Sequence, residues 1–168
     1  MEKLYKKLIN KALGGGASKA VLFDASSIVF DPRSLLKCRF GCKRWGRYWT
    51  CPPNLSLTQE QFKEALRCYQ SAILIQASDP LLSQNVSLEV EKEAMLTWGC
   101  HYAFALTLCV QCDECVFPEP CVYPHRARPS MDAFGIDIGK TVQAAGFEVE
   151  FDQQGRLLPC WYSMVLIQ

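Results

Sequence analysis

Seven of the ten cysteines in this 168-residue chain fall in two tight groups, and no other feature restricts its folding so severely. The first group is Cys38, Cys42 and Cys51; the second is Cys109, Cys112, Cys115 and Cys121. Three explanations compete for so many thiols. Disulfides need an oxidising compartment, and the charged start, Met1-Glu2-Lys3-Leu4-Tyr5-Lys6-Lys7, has no apolar signal region behind it. A free cysteine packs as a small apolar residue, which accounts for a few of the ten. Clustering of the rest at short spacings points to metal. Nearly half the residues (49%) are apolar, so a hydrophobic core is attainable without disulfide staples. No apolar run approaches the roughly 20 residues of a membrane-spanning helix. A formal net charge of +1 gives no global electrostatic case for nucleic acid or a membrane surface. The expectation is a cytoplasmic metalloprotein, one domain over residues 1–168, in which residues 1–18 form an N-terminal helix and a Gly-rich linker.

In the second group, two successive C-x2-C steps run from Cys109 through Cys112 to Cys115, and Cys121 follows after five residues. Each step carries a thiolate to a neighbouring corner of a compact centre, and the more distant cysteine closes the fourth corner. Ferredoxin-type [4Fe–4S] sites use such a run, with the last cysteine close to a proline. Pro124 lies nearby here, although the final spacing is longer. Zinc is the rival: Cys112, Cys115, Cys121 and His125 make a Cys3His set, but structural zinc usually takes two separated pairs. His125, Arg126 and Arg128 otherwise stand as hydrogen-bond donors behind the group.

The first group, Cys38-x3-Cys42-x8-Cys51-Pro52-Pro53, has three thiols. Three thiolates on a four-iron cluster leave one iron open to substrate, water or a remote ligand. Cys68, Cys100, Cys160 and His101 are the remote candidates, and core packing is the leading reading for the three cysteines. Lys37, Arg39, Lys43, Arg44 and Arg47 crowd this stretch with no acid between them. Cations there stabilise a thiolate-ligated cluster and raise its potential. Trp45, Tyr48 and Trp49 read as a shield against water. As stacking surfaces they would serve RNA, a role the near-neutral charge disfavours.

Apolar periodicity and turn signals supply the frame. Residues 2–13 carry a helical stripe of Leu4, Tyr5, Leu8, Ile9, Ala12 and Leu13, stopped by Gly14-Gly15-Gly16. The stretch 20–30 reads as strand, broken at Ser26-Ser27. Thr58 and Gln61 form a capping box for a helix with Phe62, Leu66 and Tyr69 on its apolar face. Residues 71–77 (SAILIQA) are a buried strand. Ser87 caps a long helix running to about Leu106, with Glu89, Glu91 and Glu93 at its positive end. Ser130 opens a short helical piece, and Asp137 caps a helix ending at Gly146. Two last strands, 147–151 and 158–167, form a hairpin around Gln154-Gly155. The fold class is α+β, with about four strands, interleaved helices and two long cysteine-rich loops of the kind that carry function. Gly135-x3-Gly139-Lys140-Thr141 is one residue short of a phosphate-binding loop and lacks the preceding strand.

The order Cys38-x3-Cys42, Trp45-Gly46-Arg47, Trp49-Thr50-Cys51-Pro52-Pro53, then Cys109-x2-Cys112-x2-Cys115-x5-Cys121 and Arg128-Pro129-Ser130-Met131-Asp132-Ala133-Phe134-Gly135-Ile136-Asp137, resembles a widespread prokaryotic family. Its members, many from anaerobes, are described only as predicted metal-binding proteins. The resemblance spans about residue 20 to the end. It implies that Cys38, Cys42, Cys51, Cys109, Cys112, Cys115 and Cys121 are the ligands, and it leaves Cys68, Cys100 and Cys160 outside the motif. The leading function is an iron–sulfur protein with one or two [4Fe–4S] clusters, passing electrons to or from a redox partner in an anaerobic system. One alternative is an enzyme working at the open iron of the three-cysteine group. Another is a zinc-stabilised interaction module.

Overall fold

The computed structural model describes residues 2–151, 153, 157, 158 and 161–168. Its frame is a four-stranded antiparallel sheet in the order β1-β2-β6-β3. The strands are β1 (Lys19–Asp24), β2 (Ser71–Ala77), β3 (Phe104–Leu106) and β6 (Trp161–Ile167). Two further short strands, β4 (Glu150–Phe151) and β5 (Leu157–Leu158), pair with each other. The central strands β2 and β6 are matched residue for residue, from Ser71 against Ile167 to Ala77 against Trp161. Both are apolar on both faces because helices cover both faces.

On one face, α1 (Glu2–Gly14) and α4 (Pro80–Trp98) pack Leu4, Leu8, Val86 and Val90 over Ile73, Ile75, Val165 and Ile167. On the other, α3 (Gln59–Leu66), α5 (Ile138–Ala144) and a 3₁₀ turn (Met131–Phe134) pack Phe62, Val142, Met131 and Phe134 over Ala72, Leu74, Met164 and Leu166. The remaining helix, α2 (Arg33–Gly41), lies against the 3₁₀ turn. Successive side chains of a strand point to opposite faces, so one run of apolar residues feeds two cores. The fold class is therefore α+β, as the sequence pattern implies.

Several signals act as expected. Thr58 and Gln61 make the reciprocal capping box of α3. The Asp137 carboxylate accepts from the Lys140 amide and caps α5. Strand β1 ends at Asp24 and a 3₁₀ turn occupies Ala25–Ser27, at the predicted break.

Three expectations are corrected. Helix α4 starts at Pro80, capped by Asp79, and ends at Trp98 before the left-handed Gly99. Ser87 is buried inside it; its hydroxyl donates to the Ser83 carbonyl (2.7 Å) and lies 2.6 Å from the Ser163 hydroxyl of β6. The reason is that polar residues of α4 face inward, where β6 and the second cysteine segment satisfy them; Glu89, Glu91 and Glu93 are accordingly mid-helix. Residues 104–106 form strand β3. The stretch 158–167 is divided, with Leu157–Leu158 in one strand and Trp161–Ile167 in another. Gln154, Gly155 and Cys160 lie outside the described residues.

Candidate metal centre

The second cysteine segment leaves the sheet after β3 and returns at Pro129, and its neck is closed by polar contacts. The Thr107 amide donates to the Pro129 carbonyl at 2.8 Å. Gln84, fully buried on α4, holds both sides: its Oε1 accepts from the Val110 amide (2.8 Å), and its Nε2 donates to the Arg126 carbonyl (3.1 Å). Arg126 in turn donates to the side chains of Gln111 (2.6 Å) and Asn85 (2.7 Å). Arg128 makes a two-pronged ion pair with buried Glu91, whose carboxylate also accepts from the Ala105 amide of β3. A polar side chain is found buried when its partners satisfy it, and these partners are the ends of the cysteine segment. Beyond the neck, Cys109, Cys112, Cys115 and Cys121 line one cavity, together with Tyr48, Trp49, Thr50, Val116 and Tyr123.

The first group is built differently, and the expectation of an irregular loop is corrected there. Cys38 is buried on α2, and Cys42 is the residue that ends that helix, its amide bonded to the Cys38 carbonyl. A series of turns follows: Trp45 N–H to Cys42 O, Gly46 N–H to Pro52 O, Cys51 N–H to Tyr48 O. Asn54 Nδ2 donates to the Tyr48 carbonyl at 2.8 Å and fixes the last of them. These turns return buried Cys51 to the end of α2. Cys42 is exposed, so the three-thiol group is open to solvent on one side.

Burial and neighbouring charge both act on the thiols. Desolvation pushes the Cys112 thiol up, and Cys109, Cys121, Cys115 and Asp113 push it further. Burial pushes Cys38 up to about 12, with Asp132, Cys42 and Cys51 adding to the effect. Burial also pushes Cys51 up to about 12, with Cys42 and Asp132 raising it and Arg44 opposing them. Cys38, Cys51 and Cys112 are therefore poor thiolates by themselves. A bound cation reverses that, because it ionises its own sulfur ligands. Sulfur-rich donor sets suit zinc, copper(I) and iron–sulfur clusters, so the residues fit a thiophilic metal. Among the described residues no three His, Cys, Asp or Glu side chains converge as a ready-made site for a single ion. The four thiols of the second group surround a space instead of meeting at a point.

The two groups adjoin, although about 60 residues separate them in sequence. Arg44 Nη1 donates to the Cys109 carbonyl at 2.6 Å, and its guanidinium lies over the Tyr48 ring. Trp49 Nε1 donates to the Glu119 carbonyl at 2.8 Å, and its ring meets Phe117 edge-on at 5.0 Å. Tyr48 and Trp49 thus wall the second cavity, while Thr50 joins that wall to Cys51.

Of the remote candidates, Cys68, Cys100 and His101 are placed apart, and Cys160 lies outside the described residues. Cys100 is buried in the core between α1, α4 and the sheet. Cys68 is exposed, contrary to the core reading, because α3 ends at Leu66 and the next turn faces solvent. His101 and His125 are exposed, and His125 is not among the residues lining the thiol cavity. Gln84 is the site residue that sequence reasoning misses. It lies on a helix without a sequence link to the cysteines, and the Arg128–Asp137 motif leads away from them along the chain.

That motif also explains why Gly135 must be glycine. It closes the 3₁₀ turn with φ +77°, and a Cβ there would lie 1.9 Å from Gln59 Nε2. Gln59 approaches so closely to donate to the Phe134 carbonyl (3.1 Å). Gly135→Ala is expected to cost about 2 kcal/mol in urea unfolding, from the left-handed backbone and the clash. Adding Gln59→Ala should recover part of that loss; an unchanged midpoint in Gly135→Ala would contradict the account.

An α+β frame presenting two adjoining sets of sulfur donors defines a thiol-rich candidate metalloprotein. The chain belongs to the family described as predicted metal-binding protein (DUF2284), whose model matches residues 21–167. No curated protein and no solved structure matches it.

Proposed function

We propose that the chain is an iron–sulfur protein that holds a [4Fe–4S] cluster on Cys109, Cys112, Cys115 and Cys121, a second centre on Cys38, Cys42 and Cys51, and passes electrons to or from a partner protein. The observation that carries this reading is the four-thiol cavity walled by Tyr48, Trp49 and Thr50 of the other cysteine segment. A polynuclear centre takes one thiolate per iron from the wall of such a space, and the C-x2-C-x2-C run supplies three of them. The aromatic wall keeps water from the sulfurs. Contact between the two segments puts the centres side by side, which suits a relay of electrons. When bound, the clusters supply one-electron chemistry; the chain supplies the ligands, the wall and the surroundings that set the potential. Lys37, Arg39, Lys43 and Arg47 are exposed around the open side of the first group. Such a basic rim steers an acidic redox partner. By this reading the protein works in the cytoplasm.

The test is metal and acid-labile sulfide analysis, with a visible spectrum, on protein purified without oxygen. About eight irons with equal sulfide per chain is the expected result, and about four would confine the cluster to one group. Zinc without sulfide would overturn the redox reading in favour of a metal-stabilised interaction module.

A further inference from the structure

Tyr48, Trp49 and Thr50 wall the four-thiol cavity, yet in sequence they lie between Cys42 and Cys51 of the other group. The segment that carries them has no helix or strand of its own. It is a series of turns, held by the Gly46 amide on the Pro52 carbonyl (2.9 Å) and by Asn54 Nδ2 on the Tyr48 carbonyl (2.8 Å). Among the described residues, every hydrogen bond of residues 43–54 stays within 42–54 or reaches the second cysteine segment. Two of them cross over. Arg44 Nη1 donates to the Cys109 carbonyl at 2.6 Å, and Trp49 Nε1 donates to the Glu119 carbonyl at 2.8 Å. These bonds grip the second segment near both ends of its thiol run, and the Trp49 ring adds an edge-on contact with Phe117 at 5.0 Å.

Of residues 42–54, only Thr50 and Cys51 are buried. A turn segment that buries so little has low local stability, and its position depends on how its ends are held. One end is Cys42, exposed where α2 stops; the other is Cys51. Both are thiols of the first group. Ligation shared with Cys38 on α2 therefore ties both ends of the wall to that helix. Each ligation breaks an S–H bond, releases the proton to solvent and forms a metal–sulfur bond, with no change of oxidation state. It also favours the closed arrangement of the wall over any arrangement in which Trp49 stands away from Glu119. A ligand shifts such an equilibrium by its differential affinity for the two arrangements. The second group gains from the same closure, because the wall is part of its cavity.

We propose that the two cysteine groups load cooperatively: ligation by Cys38, Cys42 and Cys51 fixes residues 44–50 as the cover of the second cavity, and each group then holds its metal more tightly when the other is filled. This rests on the reading that both groups bind metal. Trp49 is the positioning residue of the coupling, since it supplies the cover and ligates nothing. Coupling between two sites is reciprocal in free energy, so filling the second cavity must stabilise the first group by the same factor. The solvent-open group thereby decides when the enclosed one is sealed.

The experiment compares full-length wild type, Cys42→Ser/Cys51→Ser and Cys112→Ser/Cys115→Ser, each with and without Trp49→Ala. All are reconstituted without oxygen with Fe²⁺ and sulfide, and iron release to excess bathophenanthroline disulfonate is timed. Each double-serine variant keeps one group and should release iron in one phase. Both phases of wild type should be slower than the matching single phases, by about fivefold or more. In the Trp49→Ala background that difference should vanish. Trp49→Phe, which keeps a ring against Phe117 and loses the N–H, should fall between and guards against a misfolded alanine variant. Alkylation of Cys115 and Cys121 by N-ethylmaleimide in metal-free protein should run at one rate in wild type and Cys42→Ser/Cys51→Ser; a faster rate in the variant would assign the effect to the serines and overturn the proposal. Wild-type phases equal to the two single phases, or slowing that survives Trp49→Ala, would overturn it while leaving metal binding intact. Should wild type take up no iron or sulfide, the iron–sulfur reading fails separately, and the same release comparison is made with zinc alone. Fewer than about two zinc ions on wild type would then overturn the coupling, and none would overturn the metal reading with it.

Discussion

Serine in place of Cys112 should remove about four irons and their sulfide together, leaving about four on the chain. Cys112 is the middle thiol of the run, and its ionisation is affected by Cys109, Cys121 and Cys115 alike. Without it, the two remaining thiols of the run are six residues apart, in a segment whose tip (Asp113, Glu114, Pro118, Glu119, Pro120) is exposed. A serine hydroxyl does not supply an anionic sulfur donor, so nothing holds the corner. Metal analysis and the visible spectrum check this: absorbance should fall by about half. Loss of one metal ion without sulfide would sink the four-iron reading of this group and favour zinc. The fold should survive, because the sheet and both its cores lie elsewhere.

Arg128→Ala should have the larger effect on stability. Glu91 retains 6% of its side-chain exposure, and both its oxygens are committed, to Arg128 and to the Ala105 amide. Removing one partner of a buried pair leaves a charge without compensation, at about 3 kcal/mol or more. For a chain of this size that is a fall of roughly 6–12 °C in Tm. The double variant Arg128→Ala with Glu91→Gln should recover part of the loss, because the uncompensated charge is gone. Equal midpoints for wild type and Arg128→Ala in thermal and urea unfolding would show that the pair contributes little. The neck of the second cysteine segment should also loosen, since Arg128 closes it beside Gln84 and Arg126.

What the sequence revealed follows from where its signals are local. The capping box at Thr58 and Gln61, the cap at Asp137 and the strand SAILIQA depend on neighbours within a few residues, and each forms where expected. Helix α4 was misplaced because Ser83, Gln84, Ser87 and Glu91 are buried. A polar residue facing inward blurs the apolar stripe, and its partners on β6 and the second cysteine segment are remote in sequence. The true start, Asp79-Pro80, and the true stop, Gly99, were both in the text as an N-cap with a following proline and a left-handed glycine. The thiol spacing showed that Cys109 to Cys121 belong together, and the structure brings them to one cavity. It is silent on Gln84, because a buried amide on a helix 25 residues before Cys109 has no spacing rule.

Strand β6 is the inner partner of both β2 and β3, and among the described residues β3 pairs with nothing else. Translation reaches residues 161–167 only after both sulfur-bearing segments have been made. Until then β3 is unpaired and α4 has no complete floor to rest on, so Gln84 cannot yet grip the second segment. All ten cysteines, the last of them Cys160, are therefore made before the strand that completes the scaffold. Exposed thiols are most open to sulfenic acid and stray disulfides. Biosynthesis thus opens to oxygen the thiols of Cys38, Cys51 and Cys100, which the finished fold buries, in addition to those of Cys42 and Cys68, which it leaves exposed.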